Sequence, residues 1–251
     1  MYEAHPTFLQ PEDDNVKVWR YMDFTKLVSL IGSRCLFFTR ADKFDDPFEG
    51  SWPRINVLAR QHVPDDVPAG GREAFSKAMA NMGEINRRWP KYNAINCWHM
   101  NEHESAAMWK LYLKSDEGIA VQSTYNKLRA SITDDEKVFL GVVKYIDYET
   151  EWIDGGNLLT PFVHKRKSFE HEREVRAVVT KWPIGDKGMD FTQETIGHGL
   201  KIKIDVEGLV ERIYIAPSAP GWFADLVSSL IQRYGYNFDV EHSKLNEQPV
   251  F

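Results

Sequence analysis

Cysteine is nearly absent. The 251-residue chain has two, Cys35 and Cys97, far apart and each within an apolar, strand-like run. Two such residues supply neither a disulfide framework nor a zinc shell, so each reads as a reduced core thiol. Long apolar runs are also missing. No window approaches the roughly 18 apolar residues of a membrane span. Residues 1–16, with Glu12-Asp13-Asp14, lack the apolar stretch of a signal peptide. A soluble, cytoplasmic protein without a membrane partner is expected. Positive charge is not in excess: 31 Lys and Arg against 37 Asp and Glu give a net charge of −6. That balance gives no reason to expect a surface that coats nucleic acid. Lys165-Arg166-Lys167 is the one compact basic run, and it reads as a solvated helix end. Internal repeats are absent, as are a Gly-rich phosphate loop, a G-x-G-x-x-G fingerprint and a G-x-S-x-G elbow. His99 and His103 are four apart, in what reads as a loop, with no Cys or Glu to complete a metal shell, so no metal site is expected.

What is present is enough for a core: 43% of the chain is hydrophobic and 13% of the chain is aromatic. Period-two alternation marks strands at 16–22, 35–39, 94–98, 119–124, 137–146, 175–179, 200–204, 212–216 and 237–240. Helical spacing marks 25–31, about 72–88, a stretch from 104 carrying Met108, Trp109 and Tyr112, and 222–234. Thr160-Pro161 reads as a helix start, and residues 1–15 read as a polar arm. Strands and helices mix without strict alternation. The expectation is one α+β domain over residues 1–251, with a mixed, mostly antiparallel central sheet and flanking helices. A helical insertion or cap is expected at about 52–91.

The most informative stretch runs from Lys165 to Val179. Val175, Ala177 and Val179 form an apolar face, and the other face can carry Glu172, Glu174 and Arg176 in a row. Carboxylates inside a sheet need a cleft or a counter-charge. A pair of them suits proton transfer or stabilisation of a cationic transition state. Three further patches stand out. Trp19-Arg20-Tyr21 sets a guanidinium, which grips two anion oxygens at once, between aromatics. Phe44-Asp45-Asp46-Pro47-Phe48-Glu49-Gly50 is an acidic turn able to meet a ribose hydroxyl or a cation. Trp98, Met108, Trp109 and Tyr112 read either as core or as stacking walls for flat rings.

In that order, these patches resemble the bacterial domain-of-unknown-function family 2971. Its pattern runs aromatic-Lys/Arg-Tyr, Phe-x-Asp-Pro-Phe-Glu, Met-Trp-x-x-Tyr before a Gly-led strand, and Phe-x-x-Glu-x-Glu-x-Arg. The counterparts here are Trp19-Arg20-Tyr21, Phe44 to Glu49 (with Asp45 where the family usually has Asn), Met108 to Tyr112 with Gly118, and Phe169 to Arg176. A second resemblance is to arginine-specific ADP-ribosyltransferases, which carry Arg, Ser-Thr-Ser and Glu-x-Glu on successive strands. Arg20, Ser123-Thr124 and Glu172-Arg173-Glu174 follow that order, with Tyr125 in place of the third hydroxyl. This likeness implies an ADP-ribosyltransferase-like fold and NAD as substrate. In its terms Arg20 holds the pyrophosphate, Ser123 and Thr124 support the nicotinamide ribose, Glu174 stabilises the oxocarbenium ion and Glu172 orients the acceptor.

The expected function is therefore ADP-ribosyl transfer or NAD glycohydrolysis on a nucleotide or dinucleotide ligand, in a phage-defence or toxin setting, with the macromolecular acceptor unspecified. Glu174 and Glu172 are the candidate catalytic residues. Arg20, Tyr21, Ser123, Thr124 and Trp98 are candidates for holding the ligand, and Asp46, Glu49, Trp109, Tyr112 and Arg176 for substrate or loop roles. One alternative is a non-catalytic nucleotide- or protein-binding module. Another is a metal-dependent phosphoesterase built on Asp45, Asp46, Glu49, Glu172 and Glu174. The first reading requires Arg20 and the two glutamates to line one cleft, with Trp98 or Trp109 at its wall.

Overall fold

A computed structural model describes residues 1–112 and 116–249. In chain order the elements begin β1 (Lys17–Asp23), α1 (Phe24–Ser33), β2 (Cys35–Arg40), α2 (Arg54–Gln61), α3 (Arg72–Arg88), β3 (Asn93–Met100) and α4 (Ala106–Tyr112). Next come β4 (Gly118–Thr124), α5 (Tyr125–Ala130), β5 (Phe139–Val142), β6 (Lys144–Ile146), β7 (His164–Arg166) and β8 (Glu174–Thr180). The chain closes with β9 (Ile184–Gly185), β10 (Gly188–Met189), β11 (Gly199–Lys203), α6 (Val206–Leu209), β12 (Arg212–Ile215), α7 (Gly221–Arg233) and β13 (Val240–His242).

The architecture is α+β, as the mixed pattern predicts. Nine strands share one sheet, ordered β11-β2-β3-β1-β4-β12-β13, with β8 on β3 and β5 on β8. Among the named strands only β12 with β13 and β6 with β7 pair in parallel. Helix α1 starts where Asp23 accepts a hydrogen bond from the Lys26 N–H at 2.8 Å, a side-chain cap for an otherwise unpaired helix donor. Its Leu27, Leu30 and Ile31 are buried in the main core beside Trp98, Phe38 and Val175. A second cluster, around Trp89, Tyr92, Ile95, Phe162 and Val178, packs the other face. No described helix is long and apolar enough to cross a membrane.

Several local expectations change. Residues 1–15 are no loose arm: Phe8 is buried, and Gln10 donates to the Leu140 main-chain oxygen. Helix α1 passes through Gly32 and stops at Arg34, which takes the left-handed conformation (φ 53°). The strand expected at 137–146 breaks at Val143, whose N–H turns to the Glu174 oxygen. Thr160-Pro161 opens only a single 3-10 turn, Thr160–Val163. His99 lies on β3 and not in a loop.

The feature that positions the site is a fork. Strand β8 occupies one edge of β3 along its length, from Asn93↔Thr180 to His99↔Glu174. On the opposite edge β2 pairs at Ile95 and Ala94, while β1 pairs at His99 and Met100. Between these points the edge of β3 has no strand neighbour, and β1 and β2 diverge from it. Side chains take over the missing ladder bonds. Arg20 donates to the Cys97 oxygen at 3.0 Å, and Asn96 donates to the Phe37 oxygen at 2.8 Å.

Candidate active site in the fork of the sheet

A cavity of about 360 Å³ fills this fork. Its walls come from β1, α1, β2 and β3, with Phe44, Met108, Tyr112, Glu172 and Glu174 closing one side. Arg20, Tyr21, Trp98, Tyr112, Glu172 and Glu174 therefore share one concavity. Because the cavity runs through the gap between strands, groups from both faces of the sheet reach it. Arg20 belongs to the face of Trp98, and Glu174 to the face of Tyr21 and His99, by the strand registers.

Arg20 is half-buried, and its guanidinium carbon lies 5.9 Å from the centre of the Trp98 ring. Burial lowers its pKa, opposed by Cys97 and Tyr112, but a guanidinium stays charged in water-accessible proteins. Among the described residues it has no carboxylate partner, and one of its five N–H donors is used, on Cys97. The Trp98 indole donates to Asn96 Oδ1 at 2.7 Å, which fixes that ring in the cavity wall. The Tyr21 hydroxyl accepts the Ser105 N–H at 2.7 Å, and its ring meets Trp109 edge-on. Tyr112 is 45% exposed along one flank. Burial of its hydroxyl end, together with Cys97, Glu172 and Glu174, pushes the phenol up.

The Glu-x-Glu segment is not the continuous strand expected. Glu172 ends a 3-10 turn (Lys167–Glu172), Arg173 is left-handed (φ 42°, ψ 55°), and the strand begins at Glu174. This kink folds the Glu172 carboxylate back over that of Glu174, so one cation serves both. Lys165 donates to Glu172 and, at 2.7 Å, to Glu174 Oε1. The expected solvated basic run is thus drawn into ion pairs, and only Lys167 keeps most of its side chain in water. Lys165 is buried between the acids, Arg166 holds Asp46 at 2.7 Å, and Lys167 holds Glu151 at 2.6 Å.

Arg176 is fully buried and spends its donors on three partners. Nε reaches Glu174 Oε2 at 2.5 Å, Nη1 and Nη2 reach the two Glu49 oxygens at 2.6 and 2.8 Å, and Nη1 also reaches the Phe162 oxygen at 2.9 Å. Burial pushes Glu172 up to about 8, reinforced by a hydrogen bond to Glu174. Burial would also raise Glu174, but Arg176, the bond from Glu172 and Lys165 together hold it well below the usual carboxylate range. The pair therefore holds one proton, on Glu172, at neutral pH.

The acidic turn has a structural explanation. Asp46 accepts the Phe48 N–H and the Arg166 guanidinium, and Glu49 is clamped on Arg176. Gly50 is left-handed (φ 68°), and a side chain there would collide with the Phe162 ring. Asp45 is exposed. The carboxylates invoked for a metal site, Asp45 aside, are each bound to a cation of the protein.

Asp46, Glu49 and Arg176 fall outside the cavity lining, and so do Ser123, Thr124 and Trp109. Ser123 is buried on β4, beyond β1 from the fork, and donates to the Leu209 oxygen at 2.6 Å, Thr124 caps α5 by accepting the Lys127 N–H, and the Trp109 indole donates to Glu104. Ser123 and Thr124 thus fold the chain and do not meet the Arg20 cavity, which departs from the ribose role implied by the Ser-Thr-Ser likeness. No residue of the 52–91 segment lines it either.

Two residues of the site were missed from sequence, His99 in the cavity wall and Lys165 behind the two acids. Lys165 was read as solvated, because which acid a lysine meets is set by the tertiary fold. His99 was read as a loop residue, yet Ile95, Cys97 and His99 continue the alternation of β3, a signal that was available. Cys97 lines the cavity, with burial and then Glu174 pushing its thiol well up, so it is no nucleophile at neutral pH.

No protein-family model and no curated protein matches the chain. Two solved structures are similar in backbone. Thermus sp. 2.9 DarT in complex with NAD+ is 9% identical, covering 94% of this chain and 98% of that one at a TM-score of 0.39. The same protein in complex with ADP-ribosylated ssDNA is 7% identical, covering 94% and 97% at 0.41. Similarity this remote carries no argument about ligand or reaction, which rest on the cavity itself.

Proposed function

We propose that the fork cavity binds the anionic, hydroxyl-rich part of a nucleotide, with NAD as the substrate and nicotinamide release by ADP-ribosyl transfer or glycohydrolysis as the reaction. One observation carries this reading: a guanidinium with four donors unused among the described residues shares an aromatic-walled cavity with a buried carboxylate pair. Arg20 suits a phosphate group. Trp98, Tyr21 and Tyr112 suit a flat ring. A cavity of this size lies within the range of about 300–1,000 Å³ typical of ligand sites. Glu174, held ionised in a dry setting, would oppose the positive charge that grows on the ribose as the C–N bond breaks. Glu172, protonated at neutral pH, would donate a hydrogen bond or orient the acceptor.

The test is incubation of the protein with NAD while free nicotinamide is measured. Release by the wild type, with Glu174→Gln slower by roughly 10²–10³-fold, is the expected result, since removing one preorganised electrostatic group costs about that much. Equal rates in the two proteins reject the assignment of Glu174.

A second reading, a nucleotide-binding module without catalysis, is favoured by a specific observation. Both Glu174 oxygens are already engaged by Lys165 and Arg176. NAD binding that depends on Arg20 with no nicotinamide release selects this reading.

A further inference from the structure

His99 is 4% exposed and stands on β3 opposite Glu174. Its Nδ1 lies 2.6 Å from the main-chain oxygen of Glu172. A carbonyl oxygen only accepts, so the proton sits on Nδ1 and Nε2 keeps a bare lone pair. That buried atom has no hydrogen-bond partner among the described residues. Buried acceptors are rarely left so, because the lost solvation is not recovered. The ring turns Nδ1 toward the β8 side. Nε2 therefore faces the β1 side, where the Tyr21 ring centre lies 6.2 Å from that of His99, and His99 is part of the cavity wall.

The other acceptors nearby are already occupied. Glu174 gives both oxygens to Lys165 and Arg176, Glu172 is bonded to Lys165, and the Tyr21 oxygen accepts from Ser105. Arg20 only donates. We infer that His99 Nε2 accepts a hydrogen bond from an uncharged donor of the bound molecule, a hydroxyl or an amide N–H. The cavity then selects ligands that carry such a donor beside an anionic group: Arg20 reads the anion and His99 reads the donor. Burial lowers the His99 pKa, with Arg173 and His171 acting in the same direction against the bond to Glu172, so the ring is neutral and accepting at pH 7. The inference rests on the reading that the cavity holds a nucleotide, but not on that nucleotide being cleaved.

The experiment is nitrogen NMR of the imidazole in the full chain, with the His99 signals assigned by their loss in His99→Phe. The free protein should show the Nδ1–H tautomer at pH 7. NAD, ADP-ribose (hydroxyls without a carboxamide) and nicotinamide (a carboxamide without hydroxyls) are then added in turn. The expected result is a shift of Nε2 toward the hydrogen-bonded range, and the probe that produces it identifies the donor. In parallel, His99→Phe should weaken binding of that probe by roughly ten- to a hundredfold, the usual cost of leaving a buried donor unpaired. His99→Gln, which restores an acceptor, should recover most of it.

A proton on Nε2, a bound probe that leaves Nε2 unmoved, or no binding of any of the three overturns the inference. The two proposals separate cleanly. An Nε2 response without nicotinamide release retains this inference and removes cleavage, whereas release with Nε2 unmoved does the reverse.

Discussion

Arg176 shows how a single residue joins the core to the site. Its guanidinium is out of contact with water and neutralises Glu49 and Glu174 together. Removing one member of a buried ion cluster leaves its partners charged and unpaired, at a cost of about 3–5 kcal/mol. Arg176→Met should lower the urea-unfolding free energy by that amount. Adding Glu49→Leu should recover part of the loss, because contacting residues do not act additively. The carboxylate pair gives a pH prediction. Glu172 has a folded-state pKa raised to about 8, so the folded protein keeps a proton that the unfolded chain releases at ordinary glutamate values. Its contribution to stability is thus fully present below the unfolded pKa and is lost as pH rises toward 8. The slope is at most about 1.4 kcal/mol per pH unit for one proton. Unfolding measured from pH 5 to pH 9 should fall less steeply in Glu172→Gln than in the wild type. Glu174 runs the other way: its stabilisation holds above the unfolded value and is lost as pH falls through its depressed folded value. The residue types of this cluster were legible in the sequence. Their pairing was not, since Glu49 and Arg176 are distant in the chain and meet only through the Gly50 turn.

Two kinks in the backbone decide what the elements present to the cavity. Arg173, left-handed at φ 42°, ends the 3-10 turn, so β8 starts at Glu174 and Glu172 lies off the strand that was expected to carry both acids on one face. A left-handed non-glycine residue carries about 1–2 kcal/mol of strain. Arg173→Gly relieves that strain at an entropic cost, so its melting temperature should stay near that of the wild type. Arg173→Val should lose about 1–2 kcal/mol more, because a β-branched residue disfavours this region, and should move Glu172 off Lys165. Loss of the raised Glu172 titration in that variant is the check. Arg34 offers a simpler comparison. It closes α1 at φ 53° and is exposed, a position that favours glycine. Arg34→Gly should raise stability by roughly 0.5–1 kcal/mol in a thermal melt. Helix α1 shows how far sequence reading extends. Helical spacing over 25–31 located it, but the helix runs on through Gly32, a residue type that commonly ends helices, and closes at Arg34.

At the scale of the whole molecule, the cavity exists because β3 serves two strands on one edge and cannot follow both. β1 leads into β4, β12 and β13, whereas β2 leads into β11. A ligand seated in the fork touches both branches, so binding should stabilise the fold as a unit. At a concentration 100 times its dissociation constant, a ligand adds about 2.7 kcal/mol. NAD should therefore raise the melting temperature of the wild type, and Arg20→Met should abolish most of the shift; the free variant should lose no more than about 1–3 kcal/mol, the cost of leaving the Cys97 oxygen without its donor. An equal shift in both proteins would move the ligand elsewhere.

Most of what the sequence determined is local. Alternation of period two located the strands, helical spacing the longer helices, and the mixing of the two without strict alternation the α+β class, because each element depends on neighbours within a few residues. The grouping of Arg20 with the glutamates was proposed from their order along the chain, and the fold brings them into one cavity. Only the tertiary structure decided that Ser123 and Thr124 serve the fold elsewhere, that Lys165 is buried between two acids, and that His99 keeps an unused lone pair. Those outcomes depend on strand register and on the divergence of β1 from β2. Both are fixed by long-range pairing and packing, and no local pattern encodes them.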